Sequence, residues 1–435
     1  MTEFIYNCER SHFHEHINYP DGVEVSEHFK SCPVSIYFNK SRDRKCVSFS
    51  EFNNVIRLHT SYFIGTDWIE GTGKAIYIEP KLNKSGLQSD YLKMLFSALK
   101  HPEVANHTDG LFEIKWDANQ IQITQQQDLL TPLIIIQFLR VVQCIVRKGL
   151  KKSYYKIEEN LYSRVKGKVL VSKTIKQNQF KNKPINTFCR YEEFGFNGIE
   201  NRLLKKALTF VNRYLPSMKN LNSRPYTESV FHYINPAFAN VSEEVTLNEV
   251  KHTKTNVFFK EYEEGISLAK LILKRFGYNI SNTEKSEIQS PPFWIDMSKL
   301  FELYVLAQLI DKPENIILYG ENAKGNYGVV PDFIQINEPY EKIIDTKYKK
   351  QYQAEKINFD EYLIKDIRQL SGYARDKTIL SKLGKSEVDQ LSYIPVCLII
   401  YPDQSASEDL YNNPVKEISG FNNFYKQAIK LPTII

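Results

Sequence analysis

Residues 328–350 read GVVPDFIQINEPYEKIIDTKYKK, and this stretch decides how the last third of the chain folds. Its β-branched and aromatic residues fall into two runs separated by residues 337–340, which predicts two strands joined by a turn. Side chains alternate between the two faces of a strand, so Asp345 and Lys347 share one face of the second strand. Asp332 lies on the first strand. The pattern therefore predicts a hairpin that brings two carboxylates and a lysine together.

Two carboxylates and a lysine across a hairpin are typical of a divalent-metal site. Hard cations such as Mg²⁺ prefer oxygen ligands, and the backbone carbonyl of Thr346 offers a further one beside Asp332 and Asp345. Lys347 would then lower the cost of deprotonating an attacking water or stabilise a charged phosphate transition state. Asp-x-Lys by itself is more often an ordinary ion pair on an exposed hairpin.

Two features that flank the hairpin favour the metal site. Glu302 lies in LFELYVLAQL, where apolar residues occupy its helix face, and a carboxylate there needs a partner or a metal. The alternative is a helix-edge glutamate that pairs with Lys299. Gln369 and Tyr373 are four residues apart, which places an amide and a phenol on one helix face, suited to orienting Lys347 or a phosphate.

Outward from the hairpin, the hydrophobic pattern predicts a multidomain α+β protein. Short β-segments are expected at Val34–Phe38, Ala75–Ile78 and Gln120–Thr124. Helices are expected after Pro132 and over Ile199–Leu215 and Tyr262–Phe276, and a linker over Asn279–Pro292. Beyond the linker the order is helix, two strands, helix, strand, which is an α/β unit. We therefore predict a β-rich N-terminal domain (1–130), a mixed helical and β middle region (131–290) and a C-terminal α/β domain (291–435).

Length and composition limit the class of protein. The chain has 435 residues, of which 42% are hydrophobic and 25% charged, and its net charge is +6, so a globular protein of several domains is expected. Six scattered cysteines without a CxxC pair indicate a reducing cytoplasm. The N-terminus has no apolar signal core, and the most apolar window, Leu133–Val146, is too short to span a bilayer. We expect a cytoplasmic protein that does not contact a membrane.

Neither glycine-rich segment of the chain has the sequence of a phosphate-binding P-loop, which requires Gly-x-x-x-x-Gly-Lys-Ser/Thr. GTGKA at 71–75 lacks the first glycine and the hydroxyl residue. GENAKGNY at 320–327 has Asn326 and Tyr327 in place of the lysine and the hydroxyl residue. We therefore expect this chain to bind no nucleotide itself, and any motor that moves a substrate would be another protein.

Positive charge is concentrated in residues 147–190. This span holds thirteen Lys/Arg against two glutamates, so it carries +11 while the rest of the chain nets −5. Interleaved aromatic residues and this density of cations favour contact with DNA phosphates, without base-specific readout. A solvated surface, or a patch that meets an acidic protein partner, are the alternatives. The candidate DNA-binding residues are Lys151, Lys152, Lys156, Arg164, Lys166, Lys168, Lys173 and Lys176.

A possible zinc site lies near the N-terminus, where Cys8 and His12 are followed by His28 and Cys32. The residue types suit zinc, but the spacing matches no established finger pattern. Alternating histidines on a strand often face solvent, and we favour that interpretation.

These residues resemble a known family. Glu302, Pro331-Asp332, Asp345-Thr346-Lys347 and Gln369 with Tyr373 occur in the order of the PD-(D/E)xK nuclease superfamily. More narrowly, the chain is similar to McrC, the nuclease subunit of modification-dependent restriction systems. The stretches that carry this similarity are WIEGTGKAIYIEPKL, YSRVKGKVLVSKTI, CRYEEFGFNGIENRLLKKAL, MSKLFELYVLAQL, DTKYK and DIRQLSGYA, between about residues 68 and 376.

The resemblance implies a PD-(D/E)xK nuclease domain at 291–435 and a division of roles among its residues. Asp332 and Asp345 would ligate one or two Mg²⁺ ions, for which Mn²⁺ can substitute, and Glu302 would complete that site. Lys347 would position or activate the water, with Gln369 and Tyr373 in support. It also implies two partners, double-stranded DNA and a hexameric AAA+ GTPase of the McrB type, which the N-terminal half engages and stimulates.

Two other functions remain compatible with the sequence. The chain could be a non-catalytic adaptor that activates a GTPase and holds DNA, although a decayed site would be expected to lose one of its four charged residues. It could also be a stand-alone nuclease that cuts branched DNA or RNA without GTP, but the N-terminal similarity would then have no purpose.

Overall fold

A computed structural model of the chain describes two compact units. It describes residues 4–6, 23–79, 81–82, 87–99, 110–115, 117–124, 130–214, 224–246, 260–280, 287–349 and 361–433, with the single positions 101, 104, 107, 249 and 352. One unit combines residues 1–130 with 286–435, and the other comprises residues 131–285. The first and last predicted segments thus contribute to one unit. The roles predicted for the three segments are not tested by this division and stay predictions.

The first 130 residues are rich in short strands, as the sequence predicts, and include helix α1 (Tyr91–Leu99). The predicted strand at Val34–Phe38 is shorter than expected, because the buried Phe38 begins a 3-10 turn that continues to Lys40 with Asn39 at φ 48°. The strands are β1 Phe4–Tyr6, β2 Val23–Glu24, β3 Ile36–Tyr37, β4 Lys45–Phe52, β5 Val55–Thr60, β6 Phe63–Ile69, β7 Lys74–Ile78, β8 Lys81–Leu82, β9 Leu87–Gln88, β10 Phe112–Ile114 and β11 Ile121–Thr124.

The middle unit contains the three predicted helices, within a few residues of their expected bounds, and an antiparallel sheet in the order β12-β14-β13. Its helices are α2 Leu130–Lys148, α3 Val171–Gln177, α4 Ile199–Tyr214, α5 Arg224–Ile234 and α6 Lys260–Ile280. Its strands are β12 Ser153–Tyr162, β13 Lys168–Val169 and β14 Asn186–Gly195.

Helix α2 is longer than the apolar window seen in the sequence. By length and composition it is apolar enough to cross a membrane, with a mean hydropathy of 1.6 over an 18-residue window, of which 61% is buried in the protein. Gly265 of α6 lies close to Ile145 and Val141, because a Cβ there would come within 3.4 Å of both side chains. This burial is the pattern of a core helix.

The last segment has the predicted succession of helix, strands, helix and strand, with additional strands at its start and end. Part of the predicted linker is wrong: residues 287–290 form a strand that pairs antiparallel with β11, and Ser290 is fully buried. The elements are β15 Glu287–Ser290, β16 Phe293–Asp296, α7 Met297–Ile310, β17 Ile317–Tyr319, β18 Phe333–Gln335, β19 Lys342–Thr346, α8 Glu361–Tyr373, α9 Lys377–Lys382, β20 Val396–Pro402, β21 Val415–Glu417 and β22 Phe424–Ile429.

A six-stranded mixed sheet, in the order β17-β18-β19-β20-β22-β21, organises this segment. Its three central strands β19, β20 and β22 run parallel, and the predicted hairpin β18–β19 is antiparallel, with Ile334 opposite Ile343. Ile343 and Ile399 of the sheet share one buried core with Leu370 of α8. The sheet and α8 together form an α/β layer, which confirms a mixed α/β multidomain protein.

A second sheet, in the order β1-β7-β6-β16-β10, contains strands from both the N-terminal and the C-terminal segments. Strand β16 of the C-terminal segment lies between β6 and β10. The backbones of β6 and β16 approach closely at Gly65, which has φ 143°, and a Cβ there would lie 2.1 Å from the carbonyl oxygen of Phe293. Only glycine fits this position. Strand β16 leads directly into α7, whose N-cap is Asp296.

The buried carboxylate of Asp67 stabilises this sheet. It is 4% exposed and accepts hydrogen bonds from Trp68 N (2.9 Å), Trp294 Nε1 (2.9 Å) and Lys115 Nζ (2.5 Å). Asp67→Ala would leave these donors without their acceptor, so we expect the free energy of unfolding to fall by about 3 kcal/mol. Urea denaturation measures this. The exposed Asp117→Ala should change it by less than about 0.5 kcal/mol, and equal effects of the two variants would contradict the assignment.

Candidate functional site

A cavity of about 510 Å³ opens beside the β18–β19 hairpin, and four of the residues that the sequence predicts to be functional line it, namely Glu302, Asp332, Thr346 and Lys347. Asp345, Gln369 and Tyr373 are not part of its wall. Residues of the N-terminal segment (1–130) and of the C-terminal segment (291–435) both contribute to its wall. The residues that line it are Arg44, Tyr62, Gly110, Asp296, Ser298, Lys299, Glu302, Asp332, Thr346, Lys347, Tyr348, Lys349 and Asp366.

Asp332 is fixed at the end of the hairpin. Its Oδ2 accepts hydrogen bonds from both the backbone N and the Oγ1 of Thr346, each at 2.6 Å. The strand pairing of β18 and β19 ends at Phe333 and Ile344, one residue short of Asp332 and Asp345. The hairpin therefore brings both aspartates to one edge, as predicted. The amide and hydroxyl of Thr346 hold Asp332, whereas a metal-binding role for its carbonyl stays a prediction.

Asp345 is 2% exposed, and its Oδ2 lies 2.5 Å from Lys347 Nζ. Burial, followed by the negative charge of Asp332, raises the pKa of Asp345 to about 7. Burial alone would lower the pKa of Lys347, but the neighbouring aspartates, Asp345 foremost, raise it above its ordinary value. The Lys347 side chain is therefore a permanent cation near neutral pH.

Helix α8 also contacts the Lys347 side chain and orients it. Lys347 Nζ donates to Gln369 Oε1 at 3.2 Å, and Gln369 Nε2 donates to the phenol oxygen of Tyr373 at 2.7 Å. This chain of contacts is the arrangement expected from the spacing of Gln369 and Tyr373, which places both side chains on one face of α8.

Glu302 fits both interpretations that the sequence allows, a glutamate paired at the helix edge and a carboxylate of the candidate metal site. It accepts a hydrogen bond from Lys299 Nζ at 2.6 Å, so the helix-edge pair exists. It also lines the cavity with Asp332, and burial followed by the charge of Asp332 raises the pKa of Glu302 to about 7. Two of the three carboxylates thus resist ionisation in the absence of additional positive charge.

The donor set suits a hard divalent cation by its chemistry. Asp332, Asp345 and Glu302 supply carboxylate oxygens, and their mutual repulsion is what a bound dication would compensate. Asp332 and Glu302 accept hydrogen bonds from the protein, whereas Asp345 forms an ion pair with Lys347 and its buried Oδ2 accepts no hydrogen bond from the described residues. Within the part of the chain that the structure describes, no group of three or more His, Cys, Asp or Glu side chains is placed to hold an ion.

Four residues of the site were not predicted. Asp366 accepts from Lys349 Nζ at 3.0 and 3.2 Å and lies 3.9 Å from Lys347 Nζ. Strand alternation beyond Lys347, and the three-residue spacing of Asp366 and Gln369 on α8, were the signals that could have found this pair. Asp296 caps α7 and contacts Arg44 Nη2 at 2.5 Å. No local signal connects Arg44, 252 residues away, with that cap.

In the middle unit, ion pairs occupy three of the eight candidate DNA-binding residues. The acceptors are Glu200 for Lys151 at 2.7 Å, Glu193 for Lys166 at 2.8 Å and Glu158 for Lys173 at 3.0 Å. Glu193 and Glu200 follow directly after the basic span, so a charge count that stops at residue 190 misses them. Exposed side chains remain at Lys152, Lys156, Arg164, Lys168 and Lys176.

The possible zinc site lies in part outside the described residues, which include neither Cys8 nor His12. His28 contacts Glu27 Oε1 at 3.2 Å, and Cys32 donates weakly to the Pro33 carbonyl at 3.9 Å. A zinc site there stays a prediction.

Comparison with known proteins gives one family match. The sequence model of the family described as "McrBC 5-methylcytosine restriction system component" matches residues 63–379, which are 317 of the 435 residues. No curated protein sequence matches the chain.

Two solved structures are similar in part, both from Thermococcus gammatolerans. One is a refined half-complex from a tetradecameric assembly of McrB AAA+ hexamers with bound McrC, at 15% identity, covering 88% of this chain and 80% of that chain, with a TM-score of 0.35. The other is a cryo-EM structure of the McrBC complex, at 15% identity, covering 71% of this chain and 87% of that chain, with a TM-score of 0.28. The family match over residues 63–379 confirms the predicted family, and the chain belongs to the family of McrBC 5-methylcytosine restriction system components.

Proposed function

We propose that this chain is the Mg²⁺-dependent endonuclease subunit of a modification-dependent restriction complex and cleaves DNA phosphodiester bonds. The observation that carries the proposal is the buried pair of Asp345 and Lys347, which Gln369 also contacts. It lies at the edge of the hairpin that carries Asp332, and Asp332, Lys347 and Glu302 line the same cavity. This set and its order along the chain agree with the PD-(D/E)xK pattern, and membership of the restriction family supports the same reaction class.

Asp332 and Asp345 would hold the Mg²⁺, with Glu302 and the Thr346 carbonyl as further ligands. When bound, the ion supplies charge stabilisation at the phosphate and lowers the pKa of a coordinated water. Lys347 would orient the phosphate, or position or activate the water, through its Nζ, which the hydrogen bond to Gln369 Oε1 holds in place.

The remaining regions would serve partners. We propose that residues 1–130 engage a hexameric AAA+ GTPase of the McrB type, that the exposed cations of residues 147–190 contact double-stranded DNA, and that residues 291–435 cut it. Family membership and the lack of a P-loop sequence in this chain support a separate motor.

The test is cleavage of a plasmid carrying 5-methylcytosine by the full chain with its GTPase partner. We expect cleavage that requires Mg²⁺ and GTP, stops with EDTA and returns with Mn²⁺. An unmethylated plasmid and a partner without GTP are the controls. Failure to cleave with either metal, in a complex whose GTP turnover responds to this chain, would overturn the nuclease assignment.

One observation favours a non-catalytic adaptor as the second candidate. Each carboxylate of the site has a protein partner, and the described residues contain no preformed metal cluster. An adaptor would raise GTP turnover of the partner without any cleavage. Cleavage of branched DNA or RNA by the chain alone, without GTP, would instead support a stand-alone nuclease.

A further inference from the structure

A second cavity, of about 500 Å³, is lined in part by helix α8. Its wall includes Gln369 and Tyr373, whose hydrogen bonds lead to Lys347. The rest of the wall comes from Arg368, Gly372, Arg375 and Asp376 and from the loop that contains Tyr327. This cleft is therefore directly adjacent to the candidate catalytic centre, and the two share a pair of side chains.

The cleft presents positive charge to solvent. Arg368 and Arg375 are both exposed, and among the described residues neither has a carboxylate partner. Asp376 is the acidic residue of the described wall, and its oxygens accept from the backbone N of Asn326 at 2.8 Å and of Ile379 at 3.0 Å. The two guanidinium groups are thus available to an anionic ligand, and a guanidinium binds phosphate with paired hydrogen bonds.

Tyr327 is presented at the rim of this cleft. Its side chain is 106% exposed, and its backbone has φ 51°, a conformation that bulky residues rarely adopt. The loop is held in place by Asp376 and by the hydrogen bond from Gly325 N to the Val329 carbonyl at 2.8 Å. A fully exposed aromatic ring on an anchored, strained loop points to a ligand with a planar group.

We propose that this cleft binds one strand of the nucleic-acid substrate next to the scissile phosphate. Arg368 and Arg375 would contact successive phosphates, and the ring of Tyr327 would stack on a base of the same strand. The GENAKGNY segment, which fails as a P-loop, thereby gains a role in the substrate path. The inference rests on the proposed nuclease function. Two arginines alone would suit an acidic peptide equally well, but the exposed ring and the shared Gln369 favour nucleic acid.

The first test measures binding of the full chain to a fluorescein-labelled 5-methylcytosine duplex with a single-stranded overhang, which offers unpaired bases to Tyr327. Anisotropy is recorded in EDTA, where no cleavage occurs. We expect the double variant Arg368→Ala, Arg375→Ala to weaken binding about tenfold or more near 100 mM salt. The slope of log K against log salt should fall by about 1.8, the value for two lost phosphate contacts. The double variant Arg42→Ala, Lys416→Ala removes the same charge from exposed positions outside the cleft, and it should bind almost as the wild type does.

The second test separates the ring of Tyr327 from its backbone strain. Tyr327→Gly relieves the positive φ, so we expect a higher melting temperature together with DNA binding weakened about five- to hundredfold, the effect of one lost stack. Tyr327→Phe keeps the ring and should bind DNA as the wild type does. A folded Tyr327→Gly variant with wild-type affinity would overturn the role of the ring.

The outcomes distinguish this inference from the proposed function. Wild-type affinity and salt slope in the arginine variant, together with Mg²⁺-dependent cleavage by the unaltered chain, overturn the cleft and leave the nuclease intact. A labelled polyglutamate peptide that binds the wild type but not the arginine variant, with DNA binding unchanged, overturns it in favour of an acidic protein partner. A wild-type chain that neither binds nor cuts DNA overturns both.

Discussion

Replacing Asp345 by asparagine is expected to reduce Mg²⁺-dependent cleavage by about a thousandfold or more, equivalent to about 4 kcal/mol of transition-state stabilisation. The amide keeps the shape of the side chain but removes the charge that would hold the metal. Because Asp345 is buried and its pKa is raised to about 7, asparagine should not destabilise the metal-free protein greatly. Plasmid cleavage in the presence of the GTPase partner measures the loss.

A matched control and a binding measurement identify the cause of that loss. Asp117→Asn neutralises an exposed aspartate and should leave cleavage unchanged. Titration calorimetry with Mn²⁺ should give a measurable heat for the wild type and none for Asp345→Asn. Undiminished cleavage by a folded Asp345→Asn variant, with contaminating nuclease excluded, would refute the catalytic assignment.

Lys347→Met is expected to reduce cleavage by about a hundred- to a thousandfold through a different route, because it removes a donor and keeps the carboxylates. Methionine has a similar length and fits the buried stem of the lysine, whose side chain is 14% exposed. Without the cation, the repulsion between Asp345 and Asp332 grows, so Mn²⁺ binding should be retained or strengthened. Loss of cleavage with retained metal binding separates a phosphate-orienting role from a ligand role.

Lys347→Arg tests whether the charge or the proton of Lys347 matters. Arginine remains a cation and cannot act as a base, so an orienting role predicts partial activity in this variant. Lys416→Met, at an exposed position of β21, is the control for the loss of one positive charge. Full activity of Lys347→Met would contradict both roles.

The hairpin and its partners could be predicted from the sequence because their signals are local. The two-residue period of a strand places Asp345 and Lys347 on one face of the hairpin. The four-residue spacing of Gln369 and Tyr373 places both on one face of helix α8. The structure brings all four side chains into one chain of contacts. The same reasoning left the partner of Glu302 open, because a helix face shows which neighbours are apolar but not what approaches it from another element.

What the sequence could not provide were contacts between distant positions. The strand Glu287–Ser290 is polar and precedes two prolines, and it is a strand only because Ile121–Thr124 offers it a partner. Arg44 reaches the cap of α7, and Glu193 and Glu200 neutralise lysines of a span that looks uniformly basic. None of these pairings produces a periodic pattern in the sequence of either segment, so none could be predicted from one segment alone.

The position of β16 in the second sheet also determines when this sheet can form during translation. Strand β10 (Phe112–Ile114) pairs with β16 (Phe293–Asp296), and β6 needs the same strand on its second edge. At a synthesis rate of about 5–20 residues per second, a growing chain waits roughly 10–40 s between completing β10 and emerging with β16. During that interval apolar strand edges stay open to other chains. The sheet is therefore completed late in translation, and rapid overproduction would favour aggregation of this chain before its last third is synthesised.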